Sequence, residues 1–499
     1  MSAPLRSIRV YSKIVAAELY ARIVKDDEFV ARVRRHRPSA LIPIVAACGA
    51  QYSEPGSWMS SPYGKLTPWA LAEIARVSLA FGNEHRNDAT ERDVIECAAA
   101  YVAIGDPELS RRAPETLAFV MMRMASEQLS FQRTVFNQIA RTVAIYDQTT
   151  PGRTPRVLQS GWEHDLLGCS IVEFAAIGVL LRTGAVKNSG RFNLAWLDQP
   201  QFQQVTDEIP AAVIRNTITR EFVADTDSFQ SRRPSIRLPS PEYRRYTYNP
   251  LLGRPVVSGI ADDFLVPVPG QIVRKVSPLG IYYSGMTKWG SAFAEDAGDL
   301  FEQYVGRQLQ TLKSAVVYPE IVYGHDNRKS VDWIVVLEQA VLLIEVKSVR
   351  PTESVRLGTP ESVKELSRML GRAYQQVETT DHLLAEGHPE FAHIPQDRPR
   401  IGLVVTVEPF HTANTPFTRH LYRETLSLPA LLCSSEDLER LVTLKDSGVD
   451  EYLLDLVNDP TRDGWQVSSG LVGKSLARNE VLDRAWKTLP WRRDERDDQ

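Results

Sequence analysis

Cysteine is scarce in this chain, and its positions are far apart. The 499 residues include only four cysteines, with no Cys-x-x-Cys pair, at Cys48, Cys97, Cys169 and Cys433. Zinc ribbons and small disulfide scaffolds need closely spaced cysteines, so the sequence predicts neither class. Isolated thiols fit a reducing compartment, where a free cysteine packs as a small apolar residue. We therefore expect a cytoplasmic protein.

Long apolar runs and a recognisable leader are also missing. No apolar run approaches the ~18–20 residues that a membrane helix needs, so no membrane association is expected. The first residues, MSAPLRSIRVYSK, carry positive charge but no apolar segment behind it, which argues against a secretory signal. With 43% hydrophobic and 24% charged residues, the chain has the balance of a globular protein.

Several catalytic signatures are absent too. The sequence contains no GxxxxGK[ST] phosphate loop, no HExxH and no GxSxG. The chain is therefore not expected to drive its own ATP-dependent motor or to use the zinc and serine hydrolase chemistries that these motifs mark.

Helix signals dominate the first 225 residues. Thr67-Pro68 provides an N-cap and a first-turn proline for a helix that runs to Phe81. Thr90 and Asp93 have the spacing of a capping box. The apolar spacing over 114–146 predicts one long helix, and 170–182 predicts a buried helix. We expect a mostly helical recognition or assembly region here.

Charge divides unevenly along the chain. Residues 1–280 contain 33 Lys and Arg against 28 Asp and Glu, a net charge of +5, whereas 281–499 contain 25 against 34, a net charge of −9. The segment 226–256 is rich in proline and serine, and it contains interleaved tyrosines. Its arginines are Arg232, Arg233, Arg237, Arg244, Arg245 and Arg254. Arginines with stacking aromatics are typical of a nucleic-acid surface, for which Arg244 and Arg245 are candidates. The alternative is an interdomain linker whose tyrosines dock on neighbouring elements.

The pattern changes after residue 290. An amphipathic helix over 298–312 precedes two β-branched runs, 331–337 and 341–346, which predict a hairpin. A second long helix is predicted over 360–386, and an apolar strand over 401–407. This order predicts an α/β domain with a central mixed sheet.

The hairpin carries the most informative side chains. Asp332 opens its first strand, and Glu345 and Lys347 lie two residues apart near the end of the second. Residues two apart on a strand share a face, so these groups can converge. Paired carboxylates suit Mg²⁺, and an adjacent lysine can orient water or stabilise a phosphate. The combination predicts metal-assisted phosphodiester hydrolysis.

This arrangement resembles the PD-(D/E)xK nuclease superfamily, over roughly residues 290–410. The matched pattern is Asp332, twelve intervening residues, and Glu345-Val346-Lys347, although Val331 stands where the family name has proline. The resemblance implies a restriction-endonuclease-like core that uses Mg²⁺ or Mn²⁺. Asp332, Glu345 and the Val346 backbone carbonyl would be metal ligands, and Lys347 would be catalytic.

Further residues follow from the same resemblance. Glu302 on the first helix would be a ligand or would support one, and Gln375 and Gln376 on the later helix would lie near the metal. On that helix Lys364, Arg368 and Arg372 recur every four residues. They would either line the substrate groove or form a solvated face, and the pattern leaves both open.

These observations predict a multidomain protein. Its segments are a mostly helical region (1–225), a basic connector (226–289), a nuclease domain (290–430) and a small helical extension with a disordered tail (431–499). The expected activity is a metal-dependent endonuclease that cuts DNA, of the antiphage or restriction type, acting as a homo-oligomer. Two alternatives remain: a catalytically silent nucleic-acid-binding or assembly protein, and a structure-specific repair nuclease.

Overall fold

Two compact units make up the chain. The computed structural model describes residues 23–108, 114–131, 134–224, 227–230, 238–445 and 448–491. Both units are assembled from discontinuous segments. Unit 1 comprises Met1–Arg112, Arg182–Asn193 and Val223–Gln271, and unit 2 comprises Ala113–Leu181, Leu194–Phe222 and Ile272–Gln499. Helices and mixed sheets together give the multidomain, α-rich plus α/β composition that the sequence predicts.

Helices account for most of the described residues. In chain order they are α1 (Asp26–Val33), α2 (Pro38–Gln51), α3 (Pro68–Phe81), α4 (Glu91–Val102), α5 (Pro114–Gln128), α6 (Val135–Tyr146), α7 (Trp162–Leu167), α8 (Ile171–Lys187), α9 (Gln203–Glu208), α10 (Ala211–Thr217), α11 (Asp227–Gln230), α12 (Gly270–Val276), α13 (Pro278–Trp289), α14 (Ser291–Leu309), α15 (Glu353–Leu357), α16 (Pro360–Ala385), α17 (Pro416–Tyr422), α18 (Ser435–Leu441), α19 (Val449–Asn458) and α20 (Glu480–Lys487).

The strands of the described ranges form three sheets. They are β1 (Arg191–Phe192), β2 (Val223–Ala224), β3 (Val256–Val257), β4 (Phe264–Leu265), β5 (Val316–Pro319), β6 (Val322–Tyr323), β7 (Arg328–Lys329), β8 (Trp333–Val336), β9 (Val341–Lys347), β10 (Arg400–Thr406) and β11 (Ala430–Ser434). Strands β1–β4 form a small sheet in the order β1-β4-β3-β2, and β6 pairs with β7.

The predicted helix caps are present, but one predicted helix is wrong. Thr67 accepts a hydrogen bond from the Ala70 amide at 3.2 Å, and Thr90 and Asp93 form a capping box. The single helix expected over 114–146 is instead α5 and α6. Capping residues therefore predicted the starts of helices correctly, whereas apolar spacing did not predict where the helix that begins at Pro114 ends.

The central sheet of unit 2 has the order β11-β10-β9-β8-β5. Strands β5, β8 and β9 are antiparallel neighbours, whereas β9, β10 and β11 run parallel. A parallel connection needs a crossover, and α16 lies in the chain between β9 and β10. The apolar face of α16 packs on the sheet, in a core that includes Leu370, Val377 and Leu343.

The two units do not coincide with the four predicted segments. Residues 227–230 and 238–271 of the predicted connector belong to unit 1, and residues 272–289 belong to unit 2. The boundary at 430/431 falls inside β11, which extends the central sheet. Composition marks linkers, but strand pairing between distant segments decides which residues form one unit.

One stretch, Trp162–Lys187, is apolar and long enough to cross a membrane, which the sequence analysis did not notice. Its best window has a mean hydropathy of 1.7. However, 56% of that window is buried inside the protein, with Phe174 and Ile177 fully enclosed. A mostly buried apolar helix is typical of a protein core, and a membrane protein is not indicated.

Candidate active site

The register of the hairpin places two carboxylates side by side. Trp333 pairs with Ile344 in the antiparallel β8–β9 ladder, so Asp332 lies opposite Glu345. Directly opposed residues have Cβ atoms about 4.5–5.5 Å apart. Lys347 shares the face of Glu345 because strand side chains alternate. The structure therefore brings Asp332, Glu345 and Lys347 together.

Glu345 is the most enclosed carboxylate of this group. The residue is 1% exposed, and its Oε1 atom pairs with Lys347 Nζ. Its Oε2 atom is buried and finds no hydrogen-bond partner among the described residues. An unpaired buried polar atom costs roughly 1–3 kcal/mol, and more when it is charged. A cation or a proton at Oε2 would remove that cost.

Asp332 is held by the main chain of the neighbouring strand. Its Oδ2 atom accepts a hydrogen bond from the Val346 amide at 2.7 Å. This contact fixes the Asp332 carboxylate against the end of β9, next to Glu345. The Val346 backbone thus contributes a donor to the site, and the ligand role predicted for its carbonyl stays a prediction.

Burial raises the pKa of three carboxylates here. The pKa of Glu345 rises to about 8 because the group is desolvated and faces Asp332, which together outweigh the ion pair with Lys347. Burial likewise raises the pKa of Asp332. Burial, followed by the charge of Asp332, raises the pKa of Glu302 to about 7. Mutual destabilisation of this kind is what a bound cation relieves.

Helix α14 carries Glu302 to the same place. The Trp333 indole nitrogen donates to the Glu302 carbonyl oxygen at 3.2 Å, which ties the helix to the start of β8. One turn later, a Cβ at Gly306 would lie 2.3 Å from the Trp333 ring. Only glycine allows this approach. The distance of Glu302 from the hairpin therefore depends on Gly306.

Replacement of Gly306 tests this contact. We expect Gly306→Ala to lower the free energy of unfolding by about 1–3 kcal/mol, because the helix or the indole must shift. The matched control is Gly371→Ala on α16, where an added Cβ meets no atom within 4 Å. That change should be neutral or stabilising by up to about 1 kcal/mol. Thermal unfolding measures both, and equal stability of the two variants would contradict the packing argument.

The raised pKa of Glu345 predicts how stability depends on pH. An ordinary glutamate in the unfolded chain ionises near pH 4.5, whereas folded Glu345 ionises near pH 8. Between these values the folded state binds more protons, so stability falls as pH rises. From pH 6 to pH 8, without divalent ions, Glu345 contributes about 2 kcal/mol to this loss, and Glu302, whose pKa is about 7, contributes about 1 kcal/mol more. Glu345→Gln should remove the larger, Glu345 part of the dependence in denaturant titrations. An unchanged slope in the variant would contradict the assignment.

Two charged residues near the site escaped the sequence analysis. Glu320 follows β5 and pairs with Lys329 of β7 at 2.9 Å. Their charges act on both Asp332 and Glu302, raising or lowering the pKa of each. The sequence does hint at both residues, because Glu320 ends a short apolar run and Lys329 stands three residues before Asp332. The pair was not predicted because β5 was not predicted as a strand.

The carboxylate oxygens of the site are the ligand type that a hard divalent cation prefers, but the side chains are not yet close enough to surround one. Within the described ranges, no three His, Cys, Asp or Glu side chains are grouped closely enough to hold a metal ion. The unpartnered Glu345 Oε2 atom and the adjacent Asp332 carboxylate nevertheless provide the anionic oxygens that Mg²⁺ and Mn²⁺ prefer. Lys347 occupies the other oxygen of Glu345 in this arrangement.

The two predicted glutamines of α16 are placed differently from the carboxylates. Gln376 donates through Nε2 to the Ser330 carbonyl at 2.6 Å, and Gln375 is exposed. Gln376 therefore supports the main chain just before Asp332 rather than contacting the carboxylates. Gln376 thus has a structural contact beside the site, and the catalytic roles predicted for Gln375 and Gln376 stay predictions.

The basic stripe of α16 lies on the surface. Lys364, Arg368 and Arg372 are all exposed, and Arg368 pairs with Glu365 at 2.7 Å. This placement suits a substrate groove and a solvated face equally, so the contact with nucleic acid stays a prediction.

Arg244 and Arg245 lie within unit 1 rather than on an open basic surface. The Arg244 guanidinium pairs with Asp26 at 2.7 Å and also with Glu73, and its side chain is 14% exposed. Arg245 is half-buried and donates to the Ile104 carbonyl at 3.2 Å. The phosphate-binding role predicted for Arg244 is wrong in this structure, since buried carboxylates occupy its donors.

Two tyrosines of the same segment are packed against neighbouring elements, as the interdomain-linker alternative predicts. Tyr243 and Tyr246 are each 2% exposed and so unavailable for base stacking. Arg232, Arg233 and Arg237 lie outside the described residues. Where described, the basic segment thus buries Tyr243 and Tyr246 within unit 1, whereas Arg254 is exposed.

The candidate site joins one helix to one hairpin. Glu302 lies on α14, Asp332 directly precedes β8, and Glu345 and Lys347 lie on β9. Glu320 and Lys329 come from the segment between β5 and β8. The main features of the site are buried carboxylates with raised pKa values and one adjacent lysine. Comparison of the chain with protein-family models, with curated proteins and with solved structures gave no match.

Proposed function

We propose that the protein is a metal-dependent nuclease that hydrolyses phosphodiester bonds, most directly those of DNA. The observation that carries the proposal is the buried Glu345 Oε2 atom, which lacks a hydrogen-bond partner among the described residues and adjoins Asp332. A protein gains no stability from such a group. A carboxylate pair kept at this cost beside a lysine suits metal-assisted catalysis.

The order of elements supports the resemblance to PD-(D/E)xK nucleases. A helix (α14) precedes three antiparallel strands (β5, β8 and β9), followed by a helix (α16) and a strand (β10) parallel to β9. A similar order of strands and helices does not by itself establish a function, because proteins with one fold perform many activities. The acidic pair at the hairpin end adds the chemistry that the fold alone lacks.

Each residue of the site has a role in such a reaction. Asp332 and Glu345 would hold Mg²⁺ or Mn²⁺, with Glu302 close enough to act electrostatically on Asp332. When bound, the cation supplies charge stabilisation at the phosphate and favours deprotonation of water. The Lys347 side chain is 30% exposed, so its Nζ atom can turn from Glu345 toward a phosphate oxygen and donate to it. Asp332 remains oriented by the Val346 amide throughout.

The wider setting follows as part of the proposal. Cutting both strands of DNA takes two sites, which favours a homo-oligomer, and a large second unit suits a triggered defence effector in the cytoplasm.

A structure-specific repair nuclease would use the same site. A silent nucleic-acid-binding protein is favoured by one observation, the Lys347–Glu345 ion pair, which occupies one oxygen of the metal-binding pair.

The test is cleavage by the full-length protein. Supercoiled, linear duplex, forked and single-stranded DNA are incubated with Mg²⁺, Mn²⁺ or EDTA. The proposal expects cleavage with either cation and none with EDTA. Preference for forks over both linear duplex and single strands would favour the repair alternative. Binding without cleavage on every substrate, unchanged in Glu345→Gln, would favour the silent protein.

A further inference from the structure

An arginine and two tyrosines form a cluster just beyond the catalytic strand. The Arg350 guanidinium carbon lies 3.9 Å from the ring centroid of Tyr282 and 4.7 Å from that of Tyr283. Both tyrosines are on α13. Tyr283 is 42% exposed, so much of this large ring faces solvent. We call Tyr282, Tyr283 and Arg350 the aromatic platform.

The aromatic platform adjoins the site. Arg350 follows Lys347 by three residues, a chain span of at most ~11 Å. Ser348 lies against α14, where its Oγ atom is 3.2 Å from the position of a Cβ at Gly298. Gly298 and Glu302 are four residues apart and so share one face of the helix. Directly after Lys347, the chain therefore meets the helix face that carries Glu302, and two residues later Arg350 reaches the tyrosines of α13.

We propose that the aromatic platform binds an unstacked nucleobase beside the scissile phosphate, which makes single-stranded or frayed nucleic acid the preferred substrate. This inference rests on the proposed nuclease function. An exposed tyrosine ring offers a stacking surface to any base, and the planar Arg350 group stacks in the same way while adding positive charge for the backbone. Bases paired within a duplex keep both faces covered and cannot use the platform without unstacking.

The aromatic platform offers the stacking groups that the basic segment of the sequence was expected to supply. The tyrosines of the basic segment, Tyr243 and Tyr246, are buried in unit 1, and Arg244 is paired with carboxylates. Arg350, three residues after Lys347, and the Tyr283 ring that it contacts present the same chemistry, a guanidinium and an aromatic ring. The combination of arginine and tyrosine expected for the basic segment is therefore present beside the site in different residues.

The experiment measures binding separately from cleavage. Full-length Glu345→Gln, the proposed inactive background, is titrated in EDTA with a fluorescein-labelled oligothymidylate of about 20 nucleotides and with its duplex with oligoadenylate. Stacking contributes about 1–3 kcal/mol per base, so Tyr283→Ala should weaken single-strand binding by about fivefold to a hundredfold. Tyr283→Phe keeps the ring and should retain affinity. Duplex binding should change less than about twofold in either variant.

A matched control is Trp465→Ala. Trp465 is also exposed, at 41%, and lies beside Arg462 at 5.8 Å. Its removal should leave single-strand affinity unchanged. Equal losses in Tyr283→Ala and Trp465→Ala, or no loss in Tyr283→Ala, would overturn the inference.

The outcomes separate the two proposals. If wild type cleaves DNA but Tyr283→Ala binds single strands normally and keeps its substrate preference, the platform fails and the nuclease stands. If wild type cleaves nothing but Tyr283→Ala loses single-strand binding, the nuclease fails and the platform stands as a binding site.

Discussion

Glu345→Gln should abolish metal-dependent cleavage while leaving the protein folded. The amide keeps the size of the side chain but removes a negative charge from the pair with Asp332, and with it a ligand suited to Mg²⁺. The loss of a charge that stabilises the transition state commonly costs at least about a hundredfold in rate. We expect a loss of that size or larger, measured as initial rates on single-stranded and duplex DNA.

Lys347→Ala should reduce cleavage similarly for a different reason. Lys347 is the cation that pairs with Glu345, and its truncation removes the group proposed to donate to a phosphate oxygen. Metal binding should persist in this variant and weaken in Glu345→Gln. The matched control is Glu338→Gln, an exposed carboxylate in the turn of the same hairpin. Full activity in Glu345→Gln or Lys347→Ala, or an equal loss in Glu338→Gln, would contradict the assigned roles.

The largest effect on stability is expected at a buried ion pair in unit 2. Arg141 of α6 pairs with Glu439 of α18 through two contacts of 2.5 and 2.7 Å, and both side chains are 2% exposed. The Tyr304 hydroxyl also donates to Glu439 at 2.6 Å. Gln308 donates in turn to the Tyr304 oxygen at 2.9 Å. Three helices are thus joined through one carboxylate.

Breaking this pair on one side should be costly. Glu439→Gln leaves the Arg141 charge buried without its counter-ion, which typically lowers the free energy of unfolding by about 3–5 kcal/mol. Denaturant unfolding measures the loss, and Glu451→Gln, an exposed carboxylate on α19, is the control. Replacing both partners by apolar residues, Arg141→Met with Glu439→Leu, should recover most of the stability. A loss below about 1 kcal/mol in Glu439→Gln would contradict this description.

The site was largely predictable because its signals are local. Asp332, Glu345 and Lys347 lie on one hairpin, where alternation and register follow from the apolar runs. Glu302 was predictable only through the family resemblance, since its approach depends on Gly306 and the Trp333 ring. Glu320 was missed because a four-residue edge strand leaves little pattern in the sequence.

What the sequence could not provide was long-range pairing. The charged, proline-rich sequence around Arg244 predicts a surface residue. In the structure, Asp26 and Glu73, far earlier in the chain, pair with its guanidinium. The same limitation explains the segment boundaries. Residues 238–271 have the composition of a linker, whereas their contacts place them in unit 1. Such pairings depend on which distant surfaces meet, and no local pattern encodes that.

Calorimetric titration of Mg²⁺ and Mn²⁺ at pH 7 tests the central claim, a divalent-cation site at Asp332 and Glu345. Because the pKa of Glu345 is raised to about 8, cation binding should release close to one proton per site. Titrations in buffers of different protonation enthalpy measure that release. The account predicts saturable binding with proton release in the wild type and the loss of both in Glu345→Gln. No binding at millimolar cation, or identical binding by the variant, would contradict it.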